Sequence, residues 1–223
     1  MNRNYKAFVR TVKSDHPYEM DDYMDGGEFK STFKGVHQCL LEQHSRIKDR
    51  YFSQSGKGLL DLKHFDHYLI ICLRVANALF RAGTRLDIAE AIYYSSRART
   101  SVDIYYRSDI GDYFIPCHPI GTVIDSHSKY GIGLNLYNNV HIGPYDIVGK
   151  DPADYIHPVF GDGVVIMANV TIYGDCKIGN NVIVSHGTTI INQDIPDNCL
   201  VMGKSPDLKL LPNFHNNLSV LNI

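Results

Sequence analysis

From Phe160 onward the apolar positions of this chain recur every six residues. Phe160, Ile166, Ile172, Ile178, Val184 and Ile190 mark the period, and Val164, Val170, Cys176, Val182, Thr188 and Asp194 follow each by four. Turn formers fill the gaps: Gly161-Asp162-Gly163, Gly174-Asp175 and Gly179-Asn180-Asn181. A helix would space apolar residues three or four apart, and a half-buried strand two apart. A period of six predicts a short strand, a tight turn and another short strand, with one side chain of each six pointing inward. Coils of that kind bury a face only against their neighbours, which is the hexapeptide β-helix.

Before about residue 100 the sixes are absent and helical spacing takes over. Leu59, Leu62, Phe65, Leu69, Cys72, Leu73, Ala76, Leu79 and Phe80 step by three and four, and Gly83 stands where the helix should stop. A second helix is expected over about 29–52 and a third over 86–98. Residues 1–28 are polar and are expected to be loosely ordered. The fold class is therefore α+β. A helical domain over 1–100 precedes a left-handed parallel β-helix over 101–206, and a tail over 207–223 packs on the coil or on a neighbouring subunit.

The repeat is imperfect between residues 104 and 159. Ile104 and Ile110-Gly111 open it, and Ile132-Gly133 and Ile142-Gly143 continue it in a shifted register. Ile110 and Phe160 are 50 residues apart, not a multiple of six, so part of the segment must leave the coil. The expected excursion is Pro144 to Tyr155, within a loop over 144–157, where prolines, Gly149 and three aspartates replace inward apolar residues. Loops projecting from a rigid repeat are where such scaffolds carry specificity.

Composition narrows the classes. Over 223 residues the net charge is −2 with both signs interspersed, which leaves no footprint for nucleic acid or a polybasic membrane patch. The apolar run from Tyr68 to Phe80 is broken by Arg74 and is too short to span a bilayer. Five cysteines without a C-x-x-C pair suit a reducing, cytoplasmic compartment.

Val102-Asp103-Ile104, Ile110-Gly111, His118 and Gly121 match, without a gap, the pattern V-D-I-x5-I-G-x6-H-x2-G, and so resemble the first coils of serine acetyltransferases. Ile156-His157-Pro158 and Gly163-Val164-Val165-Ile166 resemble that family's later R-H-P segment, and Arg74-Val75, Leu79-Phe80 and Gly83 its last helices. The resemblance covers about residues 70–206 and implies an acetyl-CoA-dependent O-acetyltransferase with triangular coils of about eighteen residues. It implies a homotrimer in which each active site lies between two neighbouring coils, and no metal is expected.

His118 is the candidate general base, since a neutral imidazole can take the proton of an alcohol as it attacks a thioester. Asp103, nearly one coil below, can hold that imidazole's tautomer and stabilise the imidazolium. His157 matches a histidine of the acceptor pocket. Coenzyme A is expected along the coils beside Tyr137, Met167, Ala168, Gly179, Ser185 and His186, with Lys204 meeting a phosphate. His127, His141 and His186 match no family histidine and are read as structural or coenzyme-lining.

Two departures bear on the acceptor. The resemblance implies an aspartate and an arginine that face the amino and carboxylate groups of serine, and Cys117 and Ile156 stand in their places. An aspartate of the helical part also helps hold serine in that family, and Asp49 is its loose counterpart. Leaving a zwitterion unpaired costs several kcal/mol. The rim of Cys117, Tyr137, Tyr145, Tyr155 and Ile156 suits a sugar ring instead. His118-Pro119-Ile120-Gly121-Thr122-Val123 with Tyr137-Asn138-Asn139 also resembles capsule and O-antigen polysaccharide O-acetyltransferases. The expected acceptor is therefore a sugar hydroxyl of a surface polysaccharide or its precursor. Serine O-acetylation is the alternative, and a zinc hydratase of the γ-carbonic anhydrase type or a non-catalytic scaffold stand behind it.

Overall fold

A computed structural model describes residues 2–16, 22–145 and 147–223, and the chain divides into two compact units, 1–102 with 222–223, and 103–221. In the first unit α1 spans Asn2–Asp15, α2 Gly27–Ser45, α3 Phe65–Arg81 and α4 Leu86–Thr100. The expectation of a loosely ordered start is corrected: Tyr5, Phe8, Val9 and Val12 give α1 a buried stripe at helical spacing. Phe8 meets Phe33 of α2 at 5.1 Å between ring centroids. Residues 17–21 lie outside the described residues. The helix expected to reach residue 52 stops at Ser45, where the chain turns into a two-strand hairpin, β1 (Ser53–Gln54) and β2 (Lys57–Gly58).

α3 ends as its sequence indicates. Gly83 is left-handed at φ +66, its N–H donates to Phe80 O (3.0 Å), and that of Thr84 donates to Leu79 O (3.2 Å), the paired bonds of a Schellman cap. At the other end of α3 three imidazoles cluster. The His67 ring lies 5.3 Å from His44 and 4.8 Å from His64. His44 and His67 are each 2% exposed, and the Nε2 atoms of both have no hydrogen-bond partner. Burial, followed by the charges of His44 and His64, pushes the His67 pKa down to about 4.

The second unit is a left-handed parallel β-helix. Its first coil is β3 (Asp103–Ile104), β4 (Asp109–Ile110) and β5 (Ile115–Pro116). The second is β6 (Val123–Ile124), β7 (Lys129–Tyr130) and β8 (Asn135–Leu136). The third is β9 (His141–Gly143), β10 (Val159–Phe160) and β11 (Val165–Ile166). The fourth is β12 (Thr171–Tyr173), β13 (Lys177–Ile178) and β14 (Ile183–Val184). β15 (Thr189–Ile191) and β16 (Cys199–Met202) complete the stack, and β17 (Lys209–Pro212) returns antiparallel on β16. β3, β6, β9, β12 and β15 form a first face, β4, β7, β10 and β13 a second, and β5, β8, β11, β14, β16 and β17 a third. The coil strands stack their inward residues: Ile104 sits under Ile124, Ile142, Ile172 and Ile190, and Tyr130 stacks on Phe160 with ring centroids 4.7 Å apart.

The register corrects the account of the phase break. Ile142 is in phase with Phe160 and Ile132 is not an inward residue, because β9 and β10 are separated by twelve extra residues, two full repeats. That excursion leaves the phase untouched. The shift arises earlier, where Val123 stands over Asp103 at 20 positions instead of the 18 that separate Val123 from His141. Two residues are added between β5 and β6, at His118. The tail covers the corner between the second and third faces: Asn217 Nδ2 donates to Gly163 O (2.8 Å) and Asn213 Nδ2 to Asn181 O (3.0 Å). Among the described residues, no helix is long and apolar enough to cross a membrane.

Candidate functional site

The corner joining the third face to the first collects most of the residues that could take a coenzyme. Cys117 N–H donates to Leu136 O, Tyr137 N–H to Ile166 O, Met167 N–H to Val184 O and Ser185 N–H to Val201 O, all at 2.8–3.0 Å. Cys117, Tyr137, Met167 and Ser185 are thus one column parallel to the coil axis. Asn138, Ala168 and His186 form the next column. Each turn then passes through a left-handed residue: Gly121, Asn139, Asn169 and Gly187, at φ +74, +52, +61 and +70. Glycine suits the left-handed position at 121, where a Cβ would lie 2.3 Å from Asn139 Oδ1 and would have to displace that side chain.

His118 breaks this pattern. It takes an additional left-handed conformation at φ +51, and with Pro119 forms the two-residue insertion. The base candidate is therefore exposed on a bulge pushed out from the corner. The bulge is held at its far end by Thr122, whose hydroxyl donates to Tyr137 O (2.9 Å) and accepts from Val140 N–H (3.2 Å). Asp103 opens the first face directly beneath Val123, and its N–H donates to Thr122 O (2.9 Å). Asp103 and the His118 bulge thus occupy adjoining layers at one edge of the first face.

Lys204 bridges to Thr189 at the end of the first face, beyond the last turn of the same corner. Gly179 does not belong there. It sits at the corner of the second and third faces, in a column with Gly111, Gly131 and Gly161, under the edge that the tail covers. A Cβ on Gly179 would lie 2.3 Å from Asp197 Oδ1 and 2.6 Å from Asp197 N, so its small size serves coil stacking and not a coenzyme.

The remaining candidates lie at the opposite edge of the first face, where the excursion leaves and returns. Tyr145 and Ile156 line a groove of about 640 Å³ with Lys150, Asp154, Gly174, Asp175, Asn192, Gln193 and Asp194. Tyr155 braces the excursion by donating to Ile147 O (3.3 Å), and Asp151 Oδ1 caps its single helical turn through Ala153 N–H (2.9 Å). Asp146 lies outside the described residues. His157, half-buried, places Nδ1 2.9 Å from Asp125 Oδ1. The contact is close but the ring N–H does not point along it, and His157 Nδ1 has no hydrogen-bond partner. Sequence reasoning missed Asp125, Lys150, Asp154 and Asp175. The charges inside the excursion were a legible signal for two of them, whereas Asp125 and Asp175 needed the register.

Within one chain, then, the two groups stand apart. His118, Cys117 and the candidate coenzyme residues Tyr137, Met167 and Ser185 are at one edge of the first face, and His157, Tyr145, Tyr155 and Ile156 are at the other.

Comparison with known proteins matches residues 157–192 to the family model "Bacterial transferase hexapeptide (six repeats)". The chain is 29% identical to serine acetyltransferase 2 of Arabidopsis thaliana over 178 residues, covering 78% of this chain and 52% of that protein. It spans about half the length of the curated relatives it matches. Its fold is that of the Neisseria gonorrhoeae serine acetyltransferase solved with serine (TM-score 0.69, 22% identity, 92% of this chain and 81% of that one). It is also that of a serine acetyltransferase solved with CoA (TM-score 0.68, 16% identity, 92% and 83%). These matches identify a hexapeptide-repeat protein resembling serine acetyltransferases. They overturn the saccharide reading: the matched relatives and structures are serine acetyltransferases, not capsule or polysaccharide enzymes. Cys117 and Ile156 offer no charge to a zwitterion, but the groove at Ile156 carries charges of its own in Lys150, Asp154 and Asp175.

Proposed function

We propose that the protein is an acetyl-CoA-dependent serine O-acetyltransferase working as a homotrimer. The observation that carries this reading is the bulge at His118. A two-residue insertion at a strained left-handed position holds one imidazole clear of an otherwise regular corner, beside adjoining columns whose small members, Ala168, Ser185 and Gly187, leave room for an extended pantetheine arm. In the reaction the serine hydroxyl gives its proton to His118 as its oxygen attacks the thioester carbonyl. The tetrahedral adduct then collapses, the carbon–sulfur bond breaks, and the imidazolium returns the proton to the departing thiolate. Asp103 is assigned to orient and stabilise that imidazolium. Lys150 and the carboxylates of Asp154 and Asp175 line the acceptor groove, and these offer a zwitterion the partners that Ile156 and Cys117 do not.

The trimer follows from the division of the site. Threefold packing of such prisms sets one edge of a face against the other edge of its neighbour, so the His118 bulge and the His157 groove meet only between subunits. The apolar side chains exposed on both support this: Ile120 on the bulge is 62% exposed and Val148 on the excursion 91%. Five free cysteines fit a reducing cytoplasm. The test is thiol release from acetyl-CoA with millimolar serine as acceptor, with O-acetylserine identified by mass spectrometry. Serine-dependent release that is lost in His118→Ala is expected. Release without serine dependence, or none, overturns the reading.

A further inference from the structure

The edge of the first face that carries the groove holds a cluster whose geometry is unusual for hydrogen bonding. Asp125 and His127 stand two residues apart in the turn between β6 and β7, and His157 lies one coil above. Asp125 Oδ1 is 2.9 Å from His157 Nδ1 and 3.8 Å from His127 Nδ1. One donor atom from each of the three residues lies within 4.8 Å of the other two. We propose that Asp125, His127 and His157 bind one divalent cation of the zinc class at the edge of the groove, a capacity that does not depend on whether the acyl-transfer reading holds.

Three features favour a metal over an Asp–His hydrogen-bonded pair. First, such a pair would align the ring N–H with the carboxylate, yet His157 Nδ1 is buried, close to the oxygen and without a hydrogen bond. A nitrogen so placed can turn its lone pair to a third body. Second, zinc–ligand bonds of about 2.0–2.2 Å set tetrahedral donors roughly 3.3 Å apart, between the two separations observed here. Third, the carboxylate is already held: Ser128 Oγ donates to Asp125 Oδ2, and His127 N–H donates to Oδ1 at 2.7 Å. Outer contacts of this kind fix a ligand's orientation before the ion arrives.

Two imidazoles and one carboxylate select zinc, cobalt or nickel over magnesium or calcium, which require oxygen donors. Three protein donors leave at least one position open. Ser126 Oγ, 3.0 Å from His127 Nδ1, must turn aside for that nitrogen to coordinate. Coordination through Nδ1 leaves His157 its Nε2 proton, so the ion and an acceptor hydrogen bond can coexist.

Equilibrium dialysis of metal-stripped protein against zinc, with elemental analysis, reads the site without any activity measurement. One ion per chain is expected at micromolar free zinc, with d–d absorption of a nitrogen–oxygen site when cobalt replaces it. His157→Ala and Asp125→Asn should each weaken uptake at least tenfold, as even outer contacts cost 10–100-fold. His215→Ala, in the tail, should leave uptake unchanged. Thermal melting establishes that the variants fold. No zinc uptake by the wild type, or uptake that His157→Ala and Asp125→Asn leave intact, overturns the proposal.

Discussion

His127 and His157 lie on successive coils with their rings in tilted contact, centroids 4.9 Å apart and planes inclined by 35°. The pairing of Lys129 with Val159 places them in one column. The whole excursion intervenes between them in sequence and does not disturb that column. His157 is therefore positioned by the coil and not by the loop, while the loop supplies the groove beside it.

The same separation of scaffold and insertion applies to His118. His118→Ala should lose about 10²-fold or more in turnover, the usual weight of a general base, with coenzyme A affinity retained in calorimetry. Deleting Pro119 and Ile120 together is more diagnostic. It restores the coil spacing found above it, so the fold should keep its melting temperature while activity falls as far as in His118→Ala. Deletion that leaves turnover intact would refute the role of the bulge.

The imidazole cluster of the helical unit should make stability depend on pH. His67 binds its proton near 6.5 when unfolded but only at about 4 when folded. The unfolded chain therefore holds more protons in this window, and stability present above pH 6.5 is lost as pH falls toward 4. The span corresponds to as much as about 3 kcal/mol. His44, whose pKa burial also lowers, acts in the same direction. Denaturant titrations at pH 7.5 and 5 should show this loss, and His67→Phe should flatten it. An unchanged midpoint between those pH values would contradict the assignment.

Gly179→Ala separates packing from coenzyme binding. The new Cβ meets the backbone nitrogen of Asp197 at 2.6 Å, closer than real contacts allow. The variant should lower the melting temperature by several degrees, about 1–3 kcal/mol for overpacking of this kind, and leave the KM for acetyl-CoA unchanged. A selective rise in that KM at unchanged stability would return Gly179 to the coenzyme site.

Much of the β-helix was legible because its inward residues are spaced by covalent geometry alone: Phe160 through Ile190 name the faces without any tertiary information. α3 was legible for the same reason, down to Gly83. The insertion at His118 was not, since two added residues look like a phase error anywhere between Ile110 and Phe160, and the larger, proline-marked excursion drew the blame. Asp125 was hidden by distance. Nothing local marks a turn aspartate as the neighbour of a histidine one coil above. The acceptor was misread because only Cys117 and Ile156 were weighed as partners for a zwitterion, whereas Lys150, Asp154 and Asp175 line the groove beside Ile156, the last of them brought there by the register.

The division of the site between two edges gives the sharpest test of the assembly. If each site joins the His118 edge of one subunit to the His157 edge of the next, His118→Ala and His157→Ala should complement each other. Neither homotrimer contains an intact site. Random mixing of equal amounts makes about three quarters of the trimers mixed, each with one wild-type pairing in three, so roughly a quarter of wild-type activity should return. Co-expression with two affinity tags isolates the mixed species, and sedimentation should show a multiple of three 25.2 kDa chains. Mixed trimers as inactive as their parents would mean that one chain supplies both histidines to its own site, and the intersubunit arrangement would fall.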